Sequence, residues 1–354
     1  MKIMTVVGAR PQFIKASIVS KILREYAEEI LVHTGQHYDQ NMSDVFFDEL
    51  GIPTPEYNLG ISSGSHASMT AKMLEAIEKV ILIEKPDRML LYGDTNSTLA
   101  AALAAVKLKV PIYHVEAGNR FGTLNNPEEV NRIITDHIST CLMPCTLSAK
   151  EFLDIEGLGD RSIIVGDPMY DAFLLYGQKN LKNDIKAFSK GKAIEIPNEY
   201  YYMTCHRQEN TEDERNIKEI LKTMNSLDAV TIFPVHPRVR KTVEKICENE
   251  KLSNIILTEP VGYNTSIWLV KNAKKIVTDS GGVQREAFFA EKQCVTVLDF
   301  VVWPETMVGN RNQLAKPKME DIMNKLSKKQ IIEKKYLPFG NGHAGNKIVD
   351  LLLK

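Results

Sequence analysis

Short apolar, β-branched runs alternate with longer amphipathic stretches along almost the whole chain. The strand-like runs of the first half are Ile3–Val7, Ile30–His33, Met89–Tyr92, Ile112–Glu116, Leu142–Pro144 and Ile163–Val165. The second half carries Tyr201–Cys205, Thr231–Val235, Ile255–Leu257, Lys275–Thr278 and Cys294–Leu298. Between them lie stretches with helical periodicity, such as Pro11–Glu28, with Ile14, Ile18, Ile22 and Tyr26 on one face, and Met69–Glu84. This alternation predicts an α/β chain of doubly wound parallel sheets with helices on both faces. A length of 354 residues suits two domains. The rhythm breaks at Gly177–Asn198, a stretch rich in lysine (Lys179, Lys182, Lys186, Lys190, Lys192) that ends at Pro197 before a new strand. It reads as a solvated helix plus the domain boundary, its lysines forming an exposed face. The expected division is 1–172, 173–339 and a final segment 340–354 with a helix carrying Ile348, Leu351 and Leu352.

Composition excludes several classes of function. Net charge is −1 and no polybasic block occurs, which argues against nucleic acid as a partner. No apolar run approaches the roughly 20 residues of a membrane span, and no signal peptide is expected. The five cysteines (Cys141, Cys145, Cys205, Cys247 and Cys294) are odd in number and scattered. They read as reduced thiols of a cytoplasmic protein. Only the first two are close, without a nearby histidine, so no metal site is expected.

In open α/β sheets ligands bind beyond the carboxyl ends of the strands, and two such domains face to face would share a central cleft. The polar residues fall at those ends. Ile276–Thr278 runs into Asp279-Ser280-Gly281-Gly282 and then a helix-compatible segment containing Glu286. Small residues at a helix N-terminus let backbone N–H groups approach a phosphate, and Glu286 is a candidate for binding ribose hydroxyls. The alternative is a strand-to-helix turn that uses Ser-Gly-Gly only for its geometry. Gly8-Ala9-Arg10-Pro11 follows the first strand, with Pro11 suited to the first position of a helix. Arg10 and Lys15 are candidates for pairing with phosphate or sugar, or are simply surface cations of that helix.

Asp94, in Gly93-Asp94-Thr95, is a candidate helix N-cap, acid or base, the cap being favoured on local grounds. Glu116 ends an otherwise apolar strand, where a carboxylate is costly unless it is paired. Pro127-Glu128-Glu129-Val130-Asn131-Arg132 opens a helix whose apolar stripe is Val130, Ile133, Ile134, His137 and Ile138. Glu128 and Arg132, four apart, lie on a different face. Asp136 and His137 read as structural. His206, after Tyr202–Cys205, is a candidate general acid or phosphate ligand, and His236 is a binding or structural residue. Three carboxylates, an arginine and a histidine around a phosphate cradle suit proton transfer on a nucleotide-linked substrate.

Together, GARPQFIK (Gly8–Lys15), Gly93–Thr95, Glu116-Ala117-Gly118, PEEVNR (Pro127–Arg132), His206-Arg207 and Asp279–Glu286 resemble the non-hydrolysing UDP-N-acetylglucosamine 2-epimerases over nearly the whole chain. The resemblance implies a GT-B fold: two Rossmann-like domains, with the final helix crossing back to the first. It implies no redox cofactor and no metal, a UDP-sugar as ligand and a homodimer as assembly. In that family UDP leaves C1 as C2 loses a proton, giving a 2-acetamidoglycal. UDP then returns and C2 is reprotonated on the opposite face, so proton-transfer groups are needed on both faces. By resemblance Asp94, Glu116 and Glu128 are those groups and Arg132 orients Glu128. His206 contacts the diphosphate, while Arg10, Ser280, Gly281, Gly282 and Glu286 hold UDP.

Departures from the commoner family pattern bear on the substrate. GARPQFIK stands for GTRPEAIK, and Glu116–Arg120 reads EAGNR for EAGLR. These variants look like the branch acting on UDP-N-acetyl-6-deoxytalosamine/UDP-N-acetylfucosamine or diacetamido-uronate sugars. The interval from Glu116 to Glu128 is shorter than usual. Trp303 stands ahead of Pro304-Glu305 where the family has a phosphate-contacting arginine, and Arg311 is the candidate substitute. Gln36-His37-Tyr38-Asp39 matches only part of the region where bacterial relatives bind an activating second UDP-N-acetylglucosamine. The competing readings are a GT-B glycosyltransferase, which needs at most one base, and a non-catalytic UDP-sugar sensor, which has no use for proton-transfer groups.

Overall fold

The computed structural model describes residues 1–36, 49–178 and 188–354. His37, Tyr38 and Asp39, and Lys179, Lys182 and Lys186, lie outside the described residues. The chain divides into two compact units, one of residues 1–175 with 337–354 and the other of residues 176–336.

The first unit holds a six-stranded sheet of β1 (Lys2–Val7), β2 (Glu28–His33), β3 (Tyr57–Asn58), β4 (Arg88–Tyr92), β5 (Ile112–Val115) and β6 (Cys141–Met143). Its order is β3-β2-β1-β4-β5-β6, and every pairing is parallel. A short antiparallel hairpin, β7 (Phe188–Ser189) and β8 (Lys192–Ala193), opens the described part of the second unit. The second sheet consists of β9 (Tyr200–Thr204), β10 (Val230–Pro234), β11 (Ile255–Thr258), β12 (Ile276–Thr278), β13 (Cys294–Thr296) and β14 (Asn312–Leu314). Its order, β11-β10-β9-β12-β13-β14, repeats that of the first sheet. In both, the strand order reverses beside the first strand, at β1/β4 and β9/β12. At such a switch point the chain leaves neighbouring strands in opposite directions and opens a crevice at their carboxyl ends.

Both sheets are buried on both faces, so their strands read as continuous apolar runs. In the first unit Met4, Val6, Val32, Met89 and Leu91 pack with Met73, Ile77 and the alanine-rich face of helix Asn96–Lys107. The final helix, Ala344–Leu353, lies on helix Arg10–Leu23 of the same unit, and the Asp171 carboxylate accepts from the N–H of Gly345 at 2.8 Å.

Several expectations are corrected. Ile163–Val165 is not a strand: its N–H groups donate to Leu142 and Pro144 carbonyls, but only a single bridge, at Ser162, forms. Helix Arg10–Leu23 stops short of Tyr26, which is 66 % exposed, because β2 begins at Glu28. Lys190 and Lys192 belong to the hairpin rather than to a helix. Helix Pro127–Ile138 buries Glu129, Asn131, Arg132, Thr135 and Asp136, leaving Ile134 and His137 exposed. Its polar face turns inward because the strand ends there offer partners for those polar groups.

Candidate functional site

In the first unit, the turn after β1 brings Gly8 against Thr34 and Ser97. A Cβ at position 8 would meet both hydroxyls at 2.2 Å, so only glycine fits. Helix Arg10–Leu23 follows, capped by Ala9, with half-buried Arg10 as its first residue and Pro11 second. Lys15, one turn on, is buried and forms an ion pair with the Glu116 carboxylate. Lys15 is therefore engaged inside the protein and is not presented as a surface cation.

Glu116 directly follows β5 and has φ 67°, a left-handed conformation that non-glycine residues seldom adopt. Glu116 therefore combines a buried carboxylate, a buried cation as its partner and a strained backbone, and strained residues cluster at functional sites. Gly93, at the end of β4, donates to the Val115 carbonyl at 2.9 Å, so the turns after β4 and β5 lie side by side.

Asp94 is not the helix cap. Thr95 caps helix Asn96–Lys107 by accepting from Thr98, which leaves the Asp94 carboxylate to pair with Arg132. The Asn131 amide donates to the Asp94 carbonyl at 2.9 Å, and Arg132 also lies over the Phe121 ring. This corrects the expected partnership of Arg132 with Glu128. Glu128 is exposed in the first turn of its helix, where its N–H donates to the Asn126 side chain, and no ion pair joins it to Arg132 among the described residues. Its neighbour Glu129 turns inward and accepts from the N–H groups of Phe121 and Gly122.

Asp136, read as structural, supports this cluster. The Nδ1 of His114 lies 2.8 Å from the Asp136 carboxylate and its Nε2 lies 2.6 Å from the Gly93 carbonyl oxygen. Asp136 also accepts from Gly118 N–H and Arg120. Burial alone would raise its carboxyl; the His114 and Arg120 contacts outweigh that and hold it below the usual carboxylate range.

In the second unit, β9 and β12 end together, with Thr204 and Thr278 hydroxyls 2.6 Å apart. Asp279, directly after β12, is buried and accepts from the N–H groups of His206 and Arg207, both at 2.9 Å. The His206 imidazole lies 3.2 Å from its other oxygen. Burial would raise the Asp279 carboxyl, but His206 and these N–H groups hold it down at about 2. His206 remains 42 % exposed at its side chain, turned toward solvent beside His236, whose Nδ1 accepts from Arg238 N–H.

Ser280 is the N-cap of helix Gly281–Phe289. A Cβ on Gly281 would meet Val302 at 3.1 Å and the Trp303 indole nitrogen at 3.5 Å, whereas one on Gly282 would meet only Ser280 Oγ at 3.6 Å. The fold therefore explains Gly281 but not Gly282, a position that leaves backbone open to an anion. Glu286 is buried on the same helix.

Trp303 and Arg285 are both buried, with the guanidinium carbon 4.1 Å from the ring centroid. Arg311 does not replace the family arginine. It precedes β14, at the amino end of the sheet, with its guanidinium 3.5 Å from the Phe288 ring centroid. Gln36 accepts from the N–H and hydroxyl of Ser97.

Each unit thus places a set of ionic and small residues at its own switch point. A family model described as UDP-N-acetylglucosamine 2-epimerase matches residues 21–353. The chain is 48 % identical over 361 residues to a UDP-N-acetylglucosamine 2-epimerase homolog of Methanococcus maripaludis, covering 99 % of each. It is 43 % identical over 364 residues to a UDP-2,3-diacetamido-2,3-dideoxy-D-glucuronate 2-epimerase of Pseudomonas aeruginosa, covering 100 % of both. Among solved structures, the Methanocaldococcus jannaschii UDP-GlcNAc 2-epimerase in complex with UDP-GlcNAc and UDP matches at a TM-score of 0.88 and 38 % identity, covering 100 % of this chain and 99 % of that one. The GT-B architecture is the one these structures share. The chain belongs to the UDP-N-acetylglucosamine 2-epimerase family, isomerases acting at C2 of UDP-sugars.

Proposed function

We propose that the enzyme inverts C2 of a UDP-N-acetylhexosamine, UDP-N-acetylglucosamine to UDP-N-acetylmannosamine being the leading pair. The C2–H and C1–oxygen bonds break, a C1=C2 double bond forms, and UDP departs with the bonding electrons. Re-addition of UDP and reprotonation on the other face complete the inversion. The observation that carries this reading is the pair of carboxylates, Asp94 and Glu116, on adjacent strand ends, each matched to a buried cation. Asp94, Glu116 and Glu128 are the proposed proton-transfer groups, with Lys15 positioning Glu116 and Arg132 positioning Asp94. Arg10, His206, Ser280, Gly281, Gly282 and Glu286 are proposed to hold the UDP moiety. Enclosure of the glycal would protect it from water.

A second reading, C2 inversion of a diacetamido-glucuronate UDP-sugar, is favoured by the full-length similarity to the Pseudomonas aeruginosa enzyme of that activity. We further propose a cytoplasmic enzyme, consistent with five free thiols, acting as a homodimer and supplying polysaccharide precursors. Exposed Leu82 and Ile83 on helix His66–Glu84 are candidates for the subunit contact.

Incubation with each UDP-sugar in D2O, followed by NMR at C2, tests the reaction. Deuterium at C2 with the manno epimer of UDP-N-acetylglucosamine supports the first substrate, and exchange only with the uronate moves the assignment to the second. Exchange with neither sinks both. Glu116→Gln is expected to abolish exchange while leaving UDP affinity within about twofold, since a neutral amide keeps the shape but cannot take the proton.

A further inference from the structure

Glu129 is 2 % exposed, on the inward face of helix Pro127–Ile138, and the reaction proposed above does not use it. Its Oε1 accepts from two successive N–H groups, those of Phe121 at 2.9 Å and Gly122 at 3.0 Å. Both residues belong to the stretch between Glu116 and Glu128, the interval that is shorter here than in the commoner pattern. Gly122 has φ 75° and a Cβ there would meet nothing within 4 Å, so backbone conformation rather than crowding favours glycine. One carboxylate oxygen thus ties this turn to the helix that follows it.

The Phe121 ring leads from the turn back to the proton-transfer groups. The Arg132 guanidinium carbon lies 5.2 Å from the ring centroid, and Nη2 of Arg132 pairs with Asp94. Arg132 is 1 % exposed, and its Nε and Nη1 have no hydrogen-bond partner among the described residues. The direction of the guanidinium therefore rests on the Asp94 carboxylate and on the aromatic face.

We propose that Glu129 is a positioning residue for the epimerase reaction: it fixes the turn whose Phe121 ring holds Arg132, and through Arg132 it places the Asp94 carboxylate. The inference rests on the function proposed above. Acceptance of the two N–H groups is the requirement rather than charge, since Oε1 makes both contacts and Oε2 has no partner among the described residues. An amide oxygen in the same place can accept both bonds, whereas a thioether of similar size is a poor acceptor. Loss of the contacts should free the turn without unfolding the helix. Gly122 is exposed, so the turn can reach water, and Asn126 caps the helix independently by accepting from Glu128 N–H at 2.9 Å.

The test compares wild type, Glu129→Gln, Glu129→Met, Phe121→Leu and the double variant Glu129→Met with Phe121→Leu. Steady-state kinetics are read beside the melting temperature and UDP affinity, which report folding and an intact nucleotide site. Glu129→Met should lower kcat about 10²-fold, as a misplacement near 1 Å does, with KM changed less than about threefold. Glu129→Gln should stay within about fivefold of wild type, because its oxygen keeps both N–H groups satisfied. Phe121→Leu should also lower kcat, although it leaves Glu129 and both backbone contacts in place. The double variant should fall no more than about threefold below Glu129→Met alone, because both changes break one linkage. A kcat within about threefold of wild type for folded Glu129→Met or for Phe121→Leu overturns the proposal. So does a Glu129→Gln as slow as Glu129→Met, which would make the charge itself the requirement, and so do losses that multiply in the double variant. A wild-type enzyme inactive on every UDP-sugar tried would instead remove the epimerase reading itself.

Discussion

At the scale of single residues, Trp303 shows how one replacement is absorbed by its surroundings. Where the family has an arginine, this chain packs an indole between the Gly281 backbone and the Arg285 guanidinium. The positive charge has not vanished from the neighbourhood; it sits on Arg285, held against the ring face. Trp303→Arg should therefore not restore the family pattern, because it would bring a second buried cation against the first. We expect a loss of about 3 kcal/mol, read as a melting temperature lower by roughly 6–12 °C in a unit of this size. Trp303→Arg combined with Arg285→Glu should recover most of that loss by turning repulsion into an ion pair, and additive losses in the double variant would refute the account. The sequence exposed Trp303 as a departure, but not its partner. Arg285 lies on a different element, and only tertiary packing brings the two together.

At the scale of elements, most strands and the turns after them were legible because buried parallel strands are written as apolar runs with polar punctuation. Helix Pro127–Ile138 was not. Its apolar residues follow a helical period, yet the face that goes inward is the polar one, carrying Arg132 to Asp94 and Asp136 to His114. Periodicity reports where apolar residues cluster, and a helix laid against polar strand ends buries whatever has partners there. Helix Gly281–Phe289 offers the complementary case, in which a glycine is unexplained by packing. Gly282→Ala meets nothing closer than 3.6 Å and removes a flexible residue from the first turn. It should stabilise the protein by about 0.4–1 kcal/mol in thermal or denaturant unfolding. The added methyl should nonetheless weaken UDP binding, measured by calorimetry, because it stands where an anion would approach the backbone. Stabilisation with unchanged UDP affinity would mean that this turn does not hold the nucleotide.

At the scale of the whole molecule, the two units repeat one topology and one device. Each holds a buried carboxylate beside a histidine near the carboxyl ends of its strands: Asp136 with His114 at β5 in the first unit, Asp279 with His206 at the β9/β12 switch point in the second. The repeated topology was legible in the shared strand–helix rhythm. The repeated device was not, since Asp136 looks like any acidic residue of a helix until His114 is found opposite it. The Asp279 carboxyl is held at about 2, below an ordinary value of 3.8, so folding favours its ionised form. The stability it contributes is then fully present above about pH 4 and is lost as pH falls through about 2. Its size is on the order of 2 kcal/mol. Asp279→Asn removes the titration, so wild type should exceed the variant in stability at neutral pH, with the gap closing as pH falls from about 4 toward about 2. Melting temperatures of both full-length proteins across that range measure the gap. A difference that stays constant down to about pH 2 would show that the Asp279 carboxylate is not what locks the His206 turn to the cradle.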